Sequence, residues 1–262
     1  MKYWALVTGA SKGIGEAICI ELASRGWNVL LTARSEPLLV ELQKKLIADY
    51  NIEVEVYPCD LTDRRQRGEL IHWVQTHGEL SALVNNAGFG STGKFDRLSI
   101  DREIQQIELN IVALVDLTHH LLPVLKSQPN GYILNLASTA GFQPGPFMAV
   151  YYATKGFVLH FSEALSVELR EDNVSVTAHC PGATESEFSK VAGNDKTVLF
   201  SKMNHVMPRD VVAKHAVDSM LNRKVVSIAG LTNWLVAFSV RFTPRWVTRS
   251  LAGWINQPGR WQ

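Results

Sequence analysis

The stretch WALVTGASKGIG, residues 4–15, decides how the rest of the chain is to be read. A short apolar run rich in β-formers passes into glycines spaced G-x-x-x-G-x-G, and a helical pattern begins behind them. Glycines in that place let the backbone turn tightly, approach a pyrophosphate and pack the helix on the strand. The free N–H groups and positive dipole end of the helix then face the anion. The spacing is not the literal G-x-G-x-x-G of the dinucleotide fingerprint, but the physical demands are the same. A purely structural strand–helix turn is the alternative.

Working outward, short β-rich runs alternate with longer helical patterns. The alternation predicts strands over 3–8, 28–33, 52–57, 81–85, 131–137, 174–179 and 224–229. It predicts helices near 13–25, 36–49, 62–77, 101–126, 151–171 and 208–222. Strands joined by helical crossovers make a parallel sheet with helices on both faces. The expected class is therefore α/β, a single doubly wound sheet of the Rossmann type. Residues 1–230 are expected to form the nucleotide-binding and catalytic domain, with 231–262 a helical extension of it. Residues 183–207 are polar, weakly patterned and too long for an ordinary connection, which marks a lid, a binding loop or a disordered segment.

Composition narrows the function. The 262 residues are 46% hydrophobic and 19% charged, with net charge +1, which suggests no nucleic-acid partner. Cys19, Cys59 and Cys180 are far apart and odd in number, so neither a disulfide framework nor a zinc site is expected, and no metal. A reducing, cytoplasmic setting follows. The strand that begins almost at Met1 leaves no room for a signal peptide, and no apolar run approaches the roughly 18 residues of a membrane span.

Cofactor type is read after the second strand, in LTARSE. An NAD enzyme usually places an acid there for the ribose hydroxyls. Here Ala33 stands in its place, Arg34 follows, and Lys12 lies in the glycine loop. Two cations so placed suit a 2′-phosphate, which favours NADP over two solvated surface charges. Asp60, in CDLTD, sits at a strand's carboxyl end, where it is either an acceptor for the adenine amino group or a turn cap. Asn86, Ala87 and Gly88, in NNAG, are small or polar, as a backbone pressed against a nucleotide needs, or else form a plain turn.

The reacting groups are sought in YYATKGF, residues 151–157. Tyr151 and Lys155 are one helical turn apart on one face, and Tyr152 points elsewhere. A cation beside a phenol is expected to lower its pKa and tune it for proton transfer. Ser138 lies thirteen residues before Tyr151, at the carboxyl edge of the fifth strand, where its hydroxyl either bonds a substrate carbonyl or caps a helix. Asn110 is a polar residue in an apolar helical stretch. It either satisfies backbone groups or marks a kink that holds a water. Phe142 and Phe147 are expected near the reactive centre, with Phe188 beginning the lid.

Taken together, TGASKGIG, CDLTD, NNAG, Asn110, Ser138, Tyr151-x-x-x-Lys155 and CPGATESEF run in an order that resembles the short-chain dehydrogenase/reductase family, over residues 3 to about 190. The resemblance implies an NADP-dependent oxidoreductase acting on a small carbonyl or alcohol, with Tyr151 as general acid/base and Lys155 on the nicotinamide ribose. It implies that Ser138 orients the carbonyl and Asn110 anchors a relay water. It also implies a cofactor cradle of Gly9, Ser11, Lys12, Gly13, Ile14 and Gly15, then Arg34, Asp60, Leu61, Asn86, Ala87 and Gly88. Pro181, Gly182 and Thr184 are implied on the carboxamide side. Ser186 stands where many members have Thr, and keeps the hydroxyl. A homodimer or homotetramer and an apolar substrate are further expectations. A non-catalytic NADP-binding sensor or scaffold is the rival class; the presence of Ser138, Tyr151 and Lys155 speaks for the enzyme.

The tail lies outside that resemblance. Leu231, Trp234, Leu235, Phe238 and Phe242 fall on one helical face, and Thr243 with Pro244 is expected to cap and start a second helix carrying Val247, Leu251, Trp254 and Ile255. Arg245 and Arg249 are left for a polar side. The expectation is that the aromatics pack on protein, at the substrate opening or a subunit contact. An interfacial membrane helix is the alternative.

Overall fold

The computed structural model describes residues 3–77, 79–194 and 206–257. Residues 195–205 of the expected lid and the last five residues of the tail lie outside them. Seven strands form one sheet: β1 Trp4–Thr8, β2 Asn28–Thr32, β3 Val54–Val56, β4 Leu80–Asn85, β5 Gly131–Leu136, β6 Val174–Cys180 and β7 Val226–Ile228. Their order is β3-β2-β1-β4-β5-β6-β7, parallel throughout. The order reverses between β1 and β4, and the crevice beyond the carboxyl ends at such a switch point is where ligands bind.

The period-two alternation of the strands feeds two cores. Ala5 and Val7 of β1 face helices α1 (Gly13–Ser24), α2 (Glu36–Asp49) and α7 (Arg209–Leu221), packing with Ile18, Leu42 and Val217. Trp4 and Leu6 face α3 (Arg64–His77) and α4 (Ile100–Lys126), with Leu70 and Leu117. Helix α5 (Ala149–Glu168) joins the second layer over β6. Strands buried on both faces read as unbroken apolar runs, and β1, β2 and β4 are buried at every position. By length and composition α4 would suffice to cross a membrane. It lies instead along the sheet, with Leu117, Leu121 and Leu125 buried.

Three features depart from the sequence reading. One turn of α4, Glu108–Ala113, is wound in the wide π manner, a local irregularity frequent at functional sites. A short helix, α6 (Phe188–Ala192), stands in the stretch expected to be a loop. The tail does form two helices, α8 (Leu231–Ser239) and α9 (Arg245–Asn256), but Thr243 does not cap the second. Its hydroxyl donates back to the Ser239 carbonyl (2.8 Å), closing the end of α8, and Pro244 takes the N-cap position of α9.

The expected apolar face of the tail is also turned the other way. Ala237, Thr248, Ala252 and Asn256 are buried, while Trp234, Leu235, Phe238 and Phe242 are exposed. The reason is the close fit on the inner side. A Cβ on Gly182 would stand 2.5 Å from the Asn233 side chain, so only small and short polar residues of α8 can approach the loop after β6.

Candidate active site

A cavity of about 820 Å³ opens at the carboxyl ends of the strands around the switch point. Its floor is the loop from β1 to α1. Gly9 and Gly13 have positive φ (65° and 63°), a backbone state that glycine adopts without strain. The loop is held by β4: the Thr8 hydroxyl accepts from the Asn86 and Ala87 N–H groups (2.9 and 3.0 Å), and the Asn86 amide donates to the Thr8 carbonyl (2.9 Å). Asn86 therefore braces the glycine loop as well as lining the cavity. Gly15 does not line it. A Cβ there would stand 2.3 Å from the Gly9 carbonyl oxygen, so this glycine lets the helix seat against the loop.

The other residues expected at a nucleotide share this cavity. Gly9, Ser11, Lys12, Gly13 and Ile14 line the cavity with Arg34, Asp60, Leu61, Ala87 and Gly88, and Pro181, Gly182 and Thr184 close its far side. Arg34 and Lys12 are exposed, as charges awaiting a solvated anion should be. Asp60 is occupied locally: its Oδ1 accepts from the Thr62 N–H and hydroxyl (3.0 and 2.8 Å), so it does cap the turn before α3. Glycine-rich backbone, an open helix N-terminus and two cations fit a phosphorylated dinucleotide.

At the other end Tyr151, Ser138 and Lys155 share one wall. Ser138 begins a short turn, its Oγ accepting from the Ala140 N–H (3.1 Å) and donating to the Pro181 carbonyl (3.4 Å). Buried Lys155 donates to the Leu136 carbonyl (2.6 Å), and its Nζ stands 5.9 Å from the centre of the Tyr151 ring. The expected tuning of the phenol by the lysine is not what the geometry gives. Burial raises the Tyr151 pKa above the ordinary phenol value; a hydrogen bond to Ser138 pulls it down, and neighbouring Tyr152 pushes it further up. Desolvation outweighs the distant ammonium, which burial itself pushes down to about 8. The phenol is therefore protonated at neutral pH, the state of a proton donor.

Asn110 does not line the cavity. Its Oδ1 accepts from the Phe89 N–H (3.2 Å), and its Nδ2 donates to the Phe89 carbonyl and the Thr154 hydroxyl (3.0 Å each). The side chain fixes the loop after β4 to α5, which is its backbone-satisfying reading, and it sits within the π-wound turn of α4. Phe142 and Phe147 do not line the cavity either. Phe142 packs with Leu114 and Val158, and Phe147 has φ 66° with its carbonyl bonded by the Gly93 N–H (2.8 Å). Phe188 does reach the site, its ring 5.0 Å from that of Tyr151.

Some cavity residues carried no local signal. Arg102 of α4 donates to the Val191 carbonyl (2.8 Å) and holds α6 over Tyr151. Tyr152, expected to point elsewhere, also lines the cavity and hydrogen-bonds Asn256 of the tail, whose amide donates in turn to the Pro146 carbonyl (3.3 Å). These pairings span up to 110 residues, beyond any local pattern.

The family described as short chain dehydrogenase matches residues 3–197. The chain belongs to that family. The chain is 33% identical over 193 residues to very-long-chain 3-oxoacyl-CoA reductase from Anas platyrhynchos, the match covering 72% of this chain and 62% of that protein. It thus spans less than two thirds of that relative's length. Among solved structures, a short-chain dehydrogenase from Sphingobium yanoikuyae in complex with NADPH is 30% identical, with a TM-score of 0.82 over 92% of this chain and 94% of that one. An alcohol dehydrogenase from Comamonas testosteroni, described as specific for bulky-bulky ketones, is 26% identical, with a TM-score of 0.78 over 97% and 95% of the two chains. The family match stops before α7, so the tail helices lie outside it.

Proposed function

We propose that this dehydrogenase is an NADPH-dependent reductase of apolar carbonyl compounds. The observation that carries the proposal is the convergence of Tyr151, Ser138 and Lys155 on one cavity whose other end holds a glycine cradle and Arg34. NADPH, when bound, supplies the hydride. Gly9 to Ile14 would hold its pyrophosphate at the start of α1, and Lys12 and Arg34 would pair with its 2′-phosphate. Ser138 orients the carbonyl oxygen and bonds it more strongly as charge develops. Tyr151 delivers the proton to that oxygen, so that hydride and proton together convert the carbonyl into an alcohol. Lys155 would hold the nicotinamide ribose through its ammonium donors. Met148, Phe188, Val191, Val236 and Ile255 give the substrate end an apolar wall. Together with the names of the two relatives above, they put bulky ketones and 3-oxoacyl thioesters first in a test panel. Free, buried Cys19, Cys59 and Cys180 suit a cytoplasmic setting.

NADPH oxidation across that panel tests the reaction, and NADPH should be used well ahead of NADH. Arg34→Asp should reverse or abolish that preference, since it removes an attraction and adds a repulsion toward the phosphate. Equal kinetics with both cofactors in the unaltered protein would sink the assignment.

The free protein's pH profile supplies a second test. Because burial pushes Lys155 down to about 8, its positive charge is present below that pH and lost above it. The value of kcat/KM for NADPH, which reports groups of the free enzyme, should be level below about pH 8 and decline beyond it. A decline absent in the unaltered protein would remove the lysine from cofactor binding.

Helices α4 and α5 leave Ile100, Ile104, Phe157 and Val167 exposed. A homodimer or homotetramer would cover them, and sedimentation velocity at micromolar concentration should show one. A monomer there would contradict it.

A further inference from the structure

We infer that the outward face of the tail is a docking surface for an anionic lipid membrane, seated beside the mouth of the cavity. Leu231, Trp234, Leu235, Phe238, Phe242 and Trp246 are all exposed, Phe242 at 75% and Trp246 at 64%. The rings form a continuous strip: Trp234 stacks on Phe238 (5.1 Å), and Phe238 meets Phe242 edge-on (5.2 Å). Contiguous apolar surface of this kind marks an interaction site, whereas scattered exposed side chains do not. It does not serve the chain's own core, because α8 and α9 already pack through Asn233, Ala237, Ala252 and Asn256.

Charge selects the partner. Residues 231–257 hold Arg241, Arg245 and Arg249 and no aspartate, glutamate or lysine. All three arginines are exposed, and none makes an ion pair among the described residues. A strip of Trp and Phe bordered by arginines is the composition of a helix lying in a membrane interface, where rings enter the acyl boundary and cations meet anionic headgroups. A second copy of the chain is a poorer fit, since a two-fold contact brings this face against itself, and residues 231–257 offer its arginines no acidic partner. The other side of the same helices lines the cavity with Thr232, Asn233, Val236, Ala237 and Val240. A docked surface therefore lies against the entrance, which shortens the path of an apolar substrate from bilayer to site.

Co-sedimentation of the full chain with vesicles tests this, using phosphatidylcholine alone and phosphatidylcholine mixed with phosphatidylglycerol. Binding is expected to the mixed vesicles and to weaken in high salt. Substituting Arg241, Arg245 and Arg249 by Gln should cost about fivefold in affinity per arginine, the equivalent of about 1 kcal/mol each. The double variant F242S/W246S should lose binding while keeping NADPH affinity, which shows that it folds. Failure to bind the mixed vesicles, or undiminished binding by F242S/W246S, overturns the inference. A change of oligomeric state in F242S/W246S, with no vesicle binding by the unaltered protein, makes the face a subunit contact.

Discussion

Replacing Tyr151 with Phe is expected to lower turnover at least ~10²-fold, the lower range for a positioned acid or base, and to leave NADPH affinity and folding unchanged. The substitution removes one hydroxyl and keeps the ring that packs on Phe188. Burial keeps the phenol protonated at neutral pH, Ser138 is a far weaker acid, and the Lys155 ammonium, pushed down to about 8, is tied to the Leu136 carbonyl. Single-turnover kinetics with a responsive carbonyl substrate check it, and near-normal rates would move the proton to another group. Tyr152→Phe is the matched control. It deletes a buried bond to Asn256, so it should cost about 1–3 kcal/mol of stability with little change in turnover.

The second large effect is expected from Gly15→Ala. The added methyl would lie 2.3 Å from the Gly9 carbonyl oxygen and 2.4 Å from the Asn86 amide nitrogen. The first contact is backbone, which cannot swing aside, and the second brace holds β4 to the glycine loop. Overpacking of this kind costs about 1–3 kcal/mol. At roughly 2–4 °C per kcal/mol for a chain of this size, the melting temperature should fall about 2–12 °C. NADPH affinity should fall with it, because the displaced loop is the cradle itself. Thermal unfolding and cofactor titration read the two effects; an unchanged melting temperature would mean that the loop yields freely.

Much of this was legible in the chain because the information was local. Strands buried on both faces show as apolar runs, helices as 3.6-residue patterns, and a glycine loop between them as a nucleotide cradle. Tyr151 and Lys155 needed only one turn of helix to be paired. What was not legible depended on contacts between distant segments. The amphipathic stripe of α8 was correctly seen, but a stripe does not say which face is buried; the crowding at Gly182 decided that. The pKa of Tyr151 was read from its neighbour in sequence, whereas the surrounding burial sets it. Phe142 and Phe147 lie near the site in sequence and are turned from it by the short turn after Ser138 and by the left-handed backbone at Phe147.

The sheet order carries a consequence for how the chain is made. Strand β1 is made before the other strands of its sheet yet sits in the centre, and its partner β4 ends at Asn85. At about 5–20 residues per second, roughly 4–15 s pass between the two, and throughout that time one edge of β1 has no neighbour. Parallel pairings at this sequence distance also fold slowly, because the connecting segment must be ordered before the ladder rewards it. The nascent chain therefore exposes an apolar, unpaired central strand for seconds, which makes it a ready client for chaperones that bind extended apolar segments.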